Sequence, residues 1–227
     1  MATALHECLP PKHIDCWIFD LDNTLYPPEI NLFAQIDRRM AAFIMEILEC
    51  DAAEARLIQK RYFHDHGTTL SGMMKHHGVQ PEHFLAYVHD VDLMQVPEDQ
   101  QLRGALMRLS GRRHIFTNAD ADYALKVLTK RGIADLFDTI IDIRATDYVP
   151  KPERSAYEAL SYLIDGFEPT RSLFVDDMSR NLRPAHAMGM TTAWLDNGSE
   201  SGGRDHDPSH VDHHIDDLTA WLMAVAG

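Results

Sequence analysis

The feature that most constrains the fold is a series of short apolar runs that alternate with helical segments in the second half of the chain. Runs of strand-favouring residues occur at residues 114–117, 139–142, 172–175 and 191–195. Helical patterns that end near a glycine lie between them, at residues 121–131, 154–164 and 182–188. Strands and helices that alternate in this way predict a parallel sheet covered on both faces.

The first half of the chain has a different pattern. One more apolar run, residues 16–19, ends in a polar segment, but no strand pattern occurs between Leu25 and Arg112. Apolar residues recur every three or four positions over residues 32–48, which predicts an amphipathic helix. Further helices are predicted at 82–89, at 100–109, and from the capping-box-like pair Asp51 and Glu54 to about residue 63.

These two patterns predict an α/β protein with a Rossmann-like parallel-sheet core and an inserted all-helical segment. We assign residues 1–24 and 112–227 to the core and residues 25–111 to the insert. Residues 197–214 are rich in Gly, Ser, Asp and His, which predicts a surface loop. A short strand near Ile215 and a helix ending at Val225 are expected after it.

Charge and hydropathy exclude several classes of partner. The chain of 227 residues carries 35 acidic and 21 basic residues, and its net charge of −14 repels nucleic acid. No apolar run approaches the roughly 20 residues that a membrane-spanning helix needs. The N-terminal residues show no apolar segment of the kind found in secretory signals, so we expect a cytoplasmic protein with no membrane partner.

The cysteines predict neither a disulfide framework nor a structural zinc site. Cys8, Cys16 and Cys50 are odd in number and show no CxxC or Cys/His ligand spacing. Cys16 lies within the first apolar run, where we expect it to be a small core residue.

Polar side chains of complementary kinds follow the predicted strands. In an open parallel sheet, functional sites form beyond the carboxyl ends of the strands. The candidates are Asp20 and Asp22 after the first strand, Thr117 and Asn118 after the second, Lys151 beyond the third, and Asp176, Asp177 and Asn181 after the fourth.

These side chains suit the binding and transfer of a phosphoryl group. Two carboxylates two residues apart, Asp20 and Asp22, can converge on one divalent cation, and Mg²⁺ prefers such oxygen ligands. A carboxylate such as Asp20 can also act as a nucleophile that forms an aspartyl-phosphate. Thr117 and Asn118 can hydrogen-bond phosphoryl oxygens, and the cation of Lys151 can neutralise their charge.

Four motifs, in this order, resemble those of the haloacid-dehalogenase-like hydrolases. They are FDLDNT from Phe19, FTNA from Phe116, VPKP from Val149 and FVDD with a following asparagine from Phe174. The resemblance runs from about Cys16 to Leu195. It implies a Rossmann-like core and identifies the helical insert as the cap that this family places over its active site.

The resemblance also implies a role for each motif residue. Asp20 would be the nucleophile, and Asp22 the general acid and then the general base. Thr117 and Lys151 would bind the phosphoryl group, with Asn118 beside them. Mg²⁺ would be held by Asp20, the backbone carbonyl of Asp22 and Asp177, supported by Asp176 and Asn181. The dehalogenating branch of the family has no acid at the position of Asp22, so the chain resembles the phosphatases.

Within the family, the resemblance is to the pyrimidine 5′-nucleotidase-like phosphatases. It is carried by FDLDNTLYP, by YFHDHGTTLSG and FLAYVHDVD in the insert, and by FVDDMSRN. It implies a nucleoside 5′-monophosphate as the small phosphorylated substrate. In the insert, His66, Thr68 and Thr69 lie beside a glycine and are candidate substrate contacts, although Thr68 and Thr69 also fit a capped helix start.

Several alternatives stay open at this point. The substrate could be another small metabolite, such as a sugar phosphate or phosphoglycolate, or the enzyme could be a mutase. A non-catalytic, receiver-like module could use the same acidic pocket for binding. Histidines crowd both the insert and residues 206–214, so transition-metal binding is conceivable, although no paired ligand spacing supports it. A dimer surface on residues 32–48 is also compatible with the sequence, and the oligomeric state is open.

Overall fold

Six parallel strands form one sheet in the order β3-β2-β1-β4-β5-β6. A computed structural model describes residues 13–199 and 202–226. The strands are β1 (Cys16–Phe19), β2 (Arg112–Phe116), β3 (Thr139–Ile141), β4 (Ser172–Asp176), β5 (Thr191–Leu195) and β6 (His213–Ile215). The predicted parallel sheet is confirmed. Cys8, with the rest of residues 1–12, lies outside the described residues.

The central strand β1 is buried on both faces. Trp17 and Phe19 pack in one apolar cluster, whereas Cys16 and Ile18 pack in a second cluster on the opposite face. Successive side chains of a strand point to opposite faces, so a strand covered on both sides is apolar at every position. This burial explains why residues 16–19 form an unbroken apolar run that ends at Asp20.

Five α-helices lie between β1 and β2, as the absence of a strand pattern there predicts. They are α1 (Leu32–Leu48), α2 (Ala52–His66), α3 (Thr69–His77), α4 (Pro81–Val88) and α5 (Gln100–Arg108). The Asp51 side chain caps α2 by accepting hydrogen bonds from the amides of Ala53 and Glu54 at 2.9 Å. Helix α2 extends to His66, three residues beyond the predicted end, and stops at Gly67.

Helices α1–α4 pack on one another, and we call them the four-helix insert. Helix α5 instead packs on the terminal helix α10 (Leu218–Val225), where Gly104 approaches Met223. The predicted cap range of residues 25–111 includes α5. The division into core and cap therefore stays a prediction, and the unit that packs together is residues 32–88.

The remaining helices cover the two faces of the sheet. They are α6 (Ala121–Arg131), α7 (Arg154–Glu158), α8 (Leu160–Leu163) and α9 (Ser179–Ala187). The single helix predicted at 154–164 is divided at Ala159, whose carbonyl accepts a short-range bond from the amide of Tyr162. Helix α9 begins at Ser179 rather than 182, because its first turn is polar and apolar periodicity does not reveal it.

The prediction of a surface loop at residues 197–214 is wrong in part. His210 and His213 are buried, and His213 opens strand β6. The rings of His206 and His214 stack on Trp194 at centroid distances of 4.4 and 4.6 Å. An imidazole ring can pack flat against an indole, so histidines here cover apolar surface that their polarity alone would place in water.

Among the helices of the described part of the chain, none combines the length and the apolar character needed to cross a bilayer.

Candidate active site

A buried lysine joins the ends of two neighbouring strands. The Lys151 ammonium Nζ donates hydrogen bonds to Asp20 Oδ1 and to Asp176 Oδ2, both at 2.7 Å. The Lys151 side chain is 1% exposed, so these bonds form with little water present. Asp20 and Asp176 meet because β1 and β4 are paired in register, with Phe19 beside Val175.

Lys151 reaches this position from the loop that follows β3. Asn118, beyond the end of β2, holds that loop by two reciprocal bonds. The Asn118 Nδ2 donates to the Lys151 carbonyl at 3.1 Å, and the Lys151 amide donates to Asn118 Oδ1 at 2.8 Å. The Asn118 side chain, predicted to hydrogen-bond phosphoryl oxygens, is therefore engaged by the backbone of Lys151. By holding that backbone, Asn118 fixes where the Lys151 ammonium lies.

Three carboxylates surround this single ammonium. Carboxylate oxygens of Asp20, Asp176 and Asp177 lie within 4.8 Å of one another, and all three residues are buried. Burial raises the pKa of Asp20 to about 7, and it also raises the pKa of Asp177 well above its usual range. Although burial opposes it, the charges of Asp176 and Asp20 raise the pKa of Lys151, which stays cationic.

The donor set fits a divalent metal ion. Oxygen ligands from carboxylates are those that Mg²⁺ prefers, and the cluster holds more carboxylates than its one ammonium can neutralise. Within residues 13–199 and 202–226, this trio is the one group of three or more His, Cys, Asp or Glu side chains arranged to hold a metal. The crowded histidines of the insert and of residues 206–214 form no such group there.

Neighbouring polar side chains fix each carboxylate. Asn181 Nδ2 donates to both oxygens of Asp176 at 3.0 Å. The Thr24 hydroxyl donates to Asp20 Oδ2 at 3.1 Å and accepts from the amide of Asp177 at 3.1 Å. Asp176 is thereby saturated by Lys151 and Asn181, which leaves Asp20 and Asp177 as the side chains freer to ligate a metal.

Asp22 is held apart from this cluster by two phenols. The hydroxyls of Tyr26 and Tyr123 both donate to Asp22 Oδ1, at 2.6 and 2.8 Å. Burial and the adjacent Asp22 carboxylate raise the pKa of both tyrosines well above the usual range, so both phenols remain donors. Asp22 itself is half-buried, so part of the residue is accessible to solvent.

Thr117 follows β2 directly, at the same edge of the sheet. Its side chain is buried, and its hydroxyl accepts a hydrogen bond from the amide of Ala119 at 3.1 Å. That bond orients the hydroxyl oxygen at the start of the loop that carries Asn118. The role of Thr117 in binding a phosphoryl group stays a prediction.

The insert residues proposed as substrate contacts flank Gly67, which lies beside the Lys151 segment in space, but they bond within the insert. His66 Nε2 lies 2.8 Å from His76 Nε2, and the Thr68 hydroxyl caps α3 by accepting from the amide of Ser71. Between them, Gly67 has a φ of +80°, and a Cβ there would lie 3.3 Å from Pro150. The glycine therefore lets this loop contact the segment of Lys151, while substrate contact by His66, Thr68 and Thr69 stays a prediction.

Sequence reasoning missed three side chains of the site. Ser199 Oγ donates to Asp177 Oδ2 at 2.7 Å, from the segment predicted to be a surface loop. Tyr26 and Tyr123 were also missed. Tyr26 lies four residues after Asp22, so a short-range pairing could have been considered, whereas nothing in the sequence links Asp22 to Tyr123.

A family model described as haloacid dehalogenase-like hydrolase matches residues 17–195. The chain belongs to this family. The match covers the four motifs and the whole segment between them, so the resemblance carried by Asp20, Thr117, Lys151 and Asp177 is confirmed at the level of the family.

The individual proteins to which the chain is similar share a low sequence identity with it. Phosphate metabolism protein 8 of Saccharomyces cerevisiae is 25% identical over an alignment of 205 residues that covers 81% of this chain and 64% of that protein. Among solved structures, a predicted phosphoglycolate phosphatase of Haemophilus somnus is 18% identical with a TM-score of 0.65, covering 95% of this chain and 99% of that one. A protein of Bacillus subtilis named as a HAD-hydrolase and bound to magnesium is 15% identical with a TM-score of 0.60, covering 94% and 99%. At these identities, the solved structures show the shared fold.

Proposed function

We propose that the protein is a Mg²⁺-dependent phosphomonoester hydrolase that acts through an aspartyl-phosphate on Asp20. The observation that carries the proposal is the position of Asp20 between the Lys151 ammonium and the Thr24 hydroxyl, with a second acid, Asp22, held outside this cluster. A nucleophile and a separate acid and base are what two-step ester hydrolysis requires.

The reaction proceeds in two displacements at phosphorus. In the first, an Asp20 carboxylate oxygen bonds to phosphorus, the ester P–O bond breaks, and Asp22 gives its proton to the leaving alcohol. In the second, Asp22 takes a proton from water, the water oxygen bonds to phosphorus, and the bond to Asp20 breaks. Inorganic phosphate leaves, and both aspartates return to their starting states.

The metal would be held by Asp20, by the backbone carbonyl of Asp22 and by Asp177. When bound, Mg²⁺ supplies positive charge that neutralises the phosphoryl oxygens and the acidic cluster. Asp176 and Asn181 support this arrangement by fixing Lys151. Lys151 and Thr117 bind the phosphoryl oxygens, and Asn118 orients the backbone that carries the ammonium.

For the substrate, we propose a nucleoside 5′-monophosphate, with a pyrimidine base favoured. Support comes from the sequence resemblance in the insert to pyrimidine 5′-nucleotidase-like phosphatases. The name of the yeast relative also refers to phosphate metabolism. A small carboxylated ester such as phosphoglycolate is the second candidate, because a predicted phosphatase for that compound shares the fold.

Release of inorganic phosphate tests both levels of the proposal. Nucleoside monophosphates, sugar phosphates and phosphoglycolate are each incubated with the protein, with Mg²⁺ and with a chelator. We expect Mg²⁺-dependent release that is fastest with UMP or CMP. Release from other esters alone would retain the mechanism and reject the nucleotide substrate. Isomerised product with little free phosphate would indicate a mutase, and no release from any ester would favour a binding module.

A further inference from the structure

We infer that Tyr26 and Tyr123 are positioning residues that fix the Asp22 carboxyl group for proton transfer to the leaving alcohol. This inference rests on the proposed function, because it concerns the acid of that reaction. It goes further by assigning a task to two side chains that lie outside the four motifs.

Both phenols bind the same carboxylate oxygen. The Tyr26 hydroxyl lies 2.6 Å and the Tyr123 hydroxyl 2.8 Å from Asp22 Oδ1, and the two hydroxyls lie 3.4 Å apart. A carboxyl oxygen that accepts two hydrogen bonds is a poor place for a proton, so an acidic proton belongs on Oδ2. Two donors on one oxygen also stop rotation about the bond between Cβ and the carboxyl carbon. Oδ2 is therefore kept as the atom that exchanges protons with the substrate.

The phenols are themselves held rigidly. Tyr26 and Tyr123 are each 1% exposed, so neither ring can move without disturbing the core. The amide of Tyr123 donates to Asp120 Oδ1 at 2.9 Å, and the ring of His89 stacks on the Tyr123 ring at 4.5 Å with an angle of 12° between the planes. His89 Nδ1 in turn hydrogen-bonds Asp120 Oδ2. Asp120 therefore fixes both partners of the stacked pair.

These contacts join Asp22 to both segments that connect the four-helix insert to the sheet. Tyr26 lies in the segment between β1 and α1, and His89 lies just after α4, in the segment that returns to α5. The position of the acid thus depends on side chains from both connections. Precise placement matters because proton transfer requires hydrogen-bond distances between the acid and the leaving oxygen.

The test compares two esters that differ in their need for an acid. Nitrophenolate leaves phosphorus without a proton, whereas the 5′-alkoxide of uridine needs one. First-turnover release of nitrophenol from p-nitrophenyl phosphate and of uridine from UMP is measured with Mg²⁺, so that the later attack of water does not limit either signal. Tyr26→Phe, Tyr123→Phe and the double variant keep the rings and remove only the hydroxyls.

We expect the double variant to release uridine about 100-fold more slowly, the low end of what a general acid contributes, while nitrophenol release is unchanged. In the Asp22→Asn background, the same substitutions should have no further effect, because they act through the Asp22 carboxyl. Tyr62→Phe is the matched control, since Tyr62 is a buried tyrosine of the insert whose hydroxyl bonds His77 at 2.7 Å. It should leave both rates unchanged.

Equal slowing with the two esters, or an undiminished effect in the Asp22→Asn background, would overturn the inference and leave the proposed function intact. If the double variant melts at a much lower temperature than wild type, the same measurements are made on each single variant. A wild-type protein that hydrolyses neither ester with Mg²⁺ would instead reject the proposed function, and the inference with it.

Discussion

Two polar contacts of this molecule differ in how deeply they are buried. One is the acidic cluster at the strand ends, and the other is the contact between the four-helix insert and the core at Glu82. In the cluster, the Lys151 and Asp176 side chains are each 1% exposed and lie 2.7 Å apart. At the insert, Glu82 of α4 pairs with Arg144 at 2.6 Å, but their side chains are 56% and 34% exposed. Buried charges depend strongly on their partners, whereas an exposed ion pair contributes little.

The two contacts differ in how much water reaches them. In the cluster, strand register and buried bonds fix Asp20, Lys151 and Asp176. At Glu82 the insert meets the core through polar bonds to Arg144 and, at 2.6 Å, to Tyr148, which are open to water, whereas just after α4 the buried bond between His89 and Asp120 joins it to the core.

Replacing the proposed nucleophile is the strongest test of the cluster. Asp20→Asn should reduce phosphate release by at least about 10⁴-fold, the scale seen when enzymes lose a nucleophile. The fold should survive, because Lys151 keeps its bond to Asp176 and one of three crowded carboxylates is removed. Steady-state phosphate release and thermal melting measure the two effects. Asp165→Asn, at an exposed position, is the control, and residual activity above a hundredth of wild type would reject Asp20 as nucleophile.

Removing the central cation should instead damage stability. Lys151→Met leaves Asp20 and Asp176 buried without their partner, which we expect to cost about 3–5 kcal/mol in the free energy of unfolding. Urea denaturation in the presence of a chelator measures this loss, and added Mg²⁺ should recover part of it. Lys130→Met, at an exposed helical position, should change the free energy little. A loss below 1 kcal/mol for Lys151→Met would show that the cluster does not depend on its cation.

Metal binding gives a smaller stability effect in the same region. Mg²⁺ at 100 times its dissociation constant should stabilise the folded protein by about 2.7 kcal/mol. Asp177→Asn should remove most of this stabilisation, because it replaces one of the two carboxylates left free to ligate the metal. Melting temperatures with Mg²⁺ and with a chelator measure the difference for wild type, for this variant and for Asp165→Asn. An unchanged response to Mg²⁺ in Asp177→Asn would remove Asp177 from the metal site.

The contacts within the candidate site differ in how far the sequence predicts them. The meeting of Asp20 with Asp176 follows from two apolar runs that end in aspartates, since parallel strands bring their carboxyl ends to one edge. The contacts of Asp177 with Ser199 and of Asp22 with Tyr123 depend on the tertiary path of loops and helices. The path of a loop or helix leaves no periodic pattern in the sequence, so these hydrogen-bond partners can be identified only in the folded structure.

Segment boundaries show the same limit on a smaller scale. Asp51 was predicted as a cap and is one, because capping is a local bond between a side chain and the next turn. The polar first turn of α9 was missed, since Ser179 and Asn181 are buried by polar contacts, with His206 and Asp176 respectively, rather than by an apolar pattern. The stacking of His206 and His214 on Trp194 was missed for a related reason, because composition describes polarity and not ring packing.

The smallest expected effect lies at the insert, where Glu82→Gln removes the exposed ion pair. Hydrogen bonds from Arg144 and Tyr148 lower the pKa of Glu82 to about 2, so the charged form is favoured in the folded protein. Solvent screening limits the loss in unfolding free energy at pH 7 to about 0.5 kcal/mol. Because the folded pKa is depressed, this contribution is full above the ordinary glutamate value of 4.5 and disappears as the pH falls toward 2.

Urea denaturation of wild type and Glu82→Gln at pH 7, 4 and 3 measures this difference, which should shrink as the pH falls and as salt is added. Glu158→Gln is the matched control. Glu158 forms an exposed ion pair with Arg154 at 2.8 Å within helix α7, so this pair does not connect the insert to the core. If the Glu82 contact is as weak as its exposure indicates, the two variants should lose similar free energy. A loss of several kcal/mol at Glu82 alone would show that this contact is as strongly coupled as the buried cluster, and the contrast between the two contacts would fail.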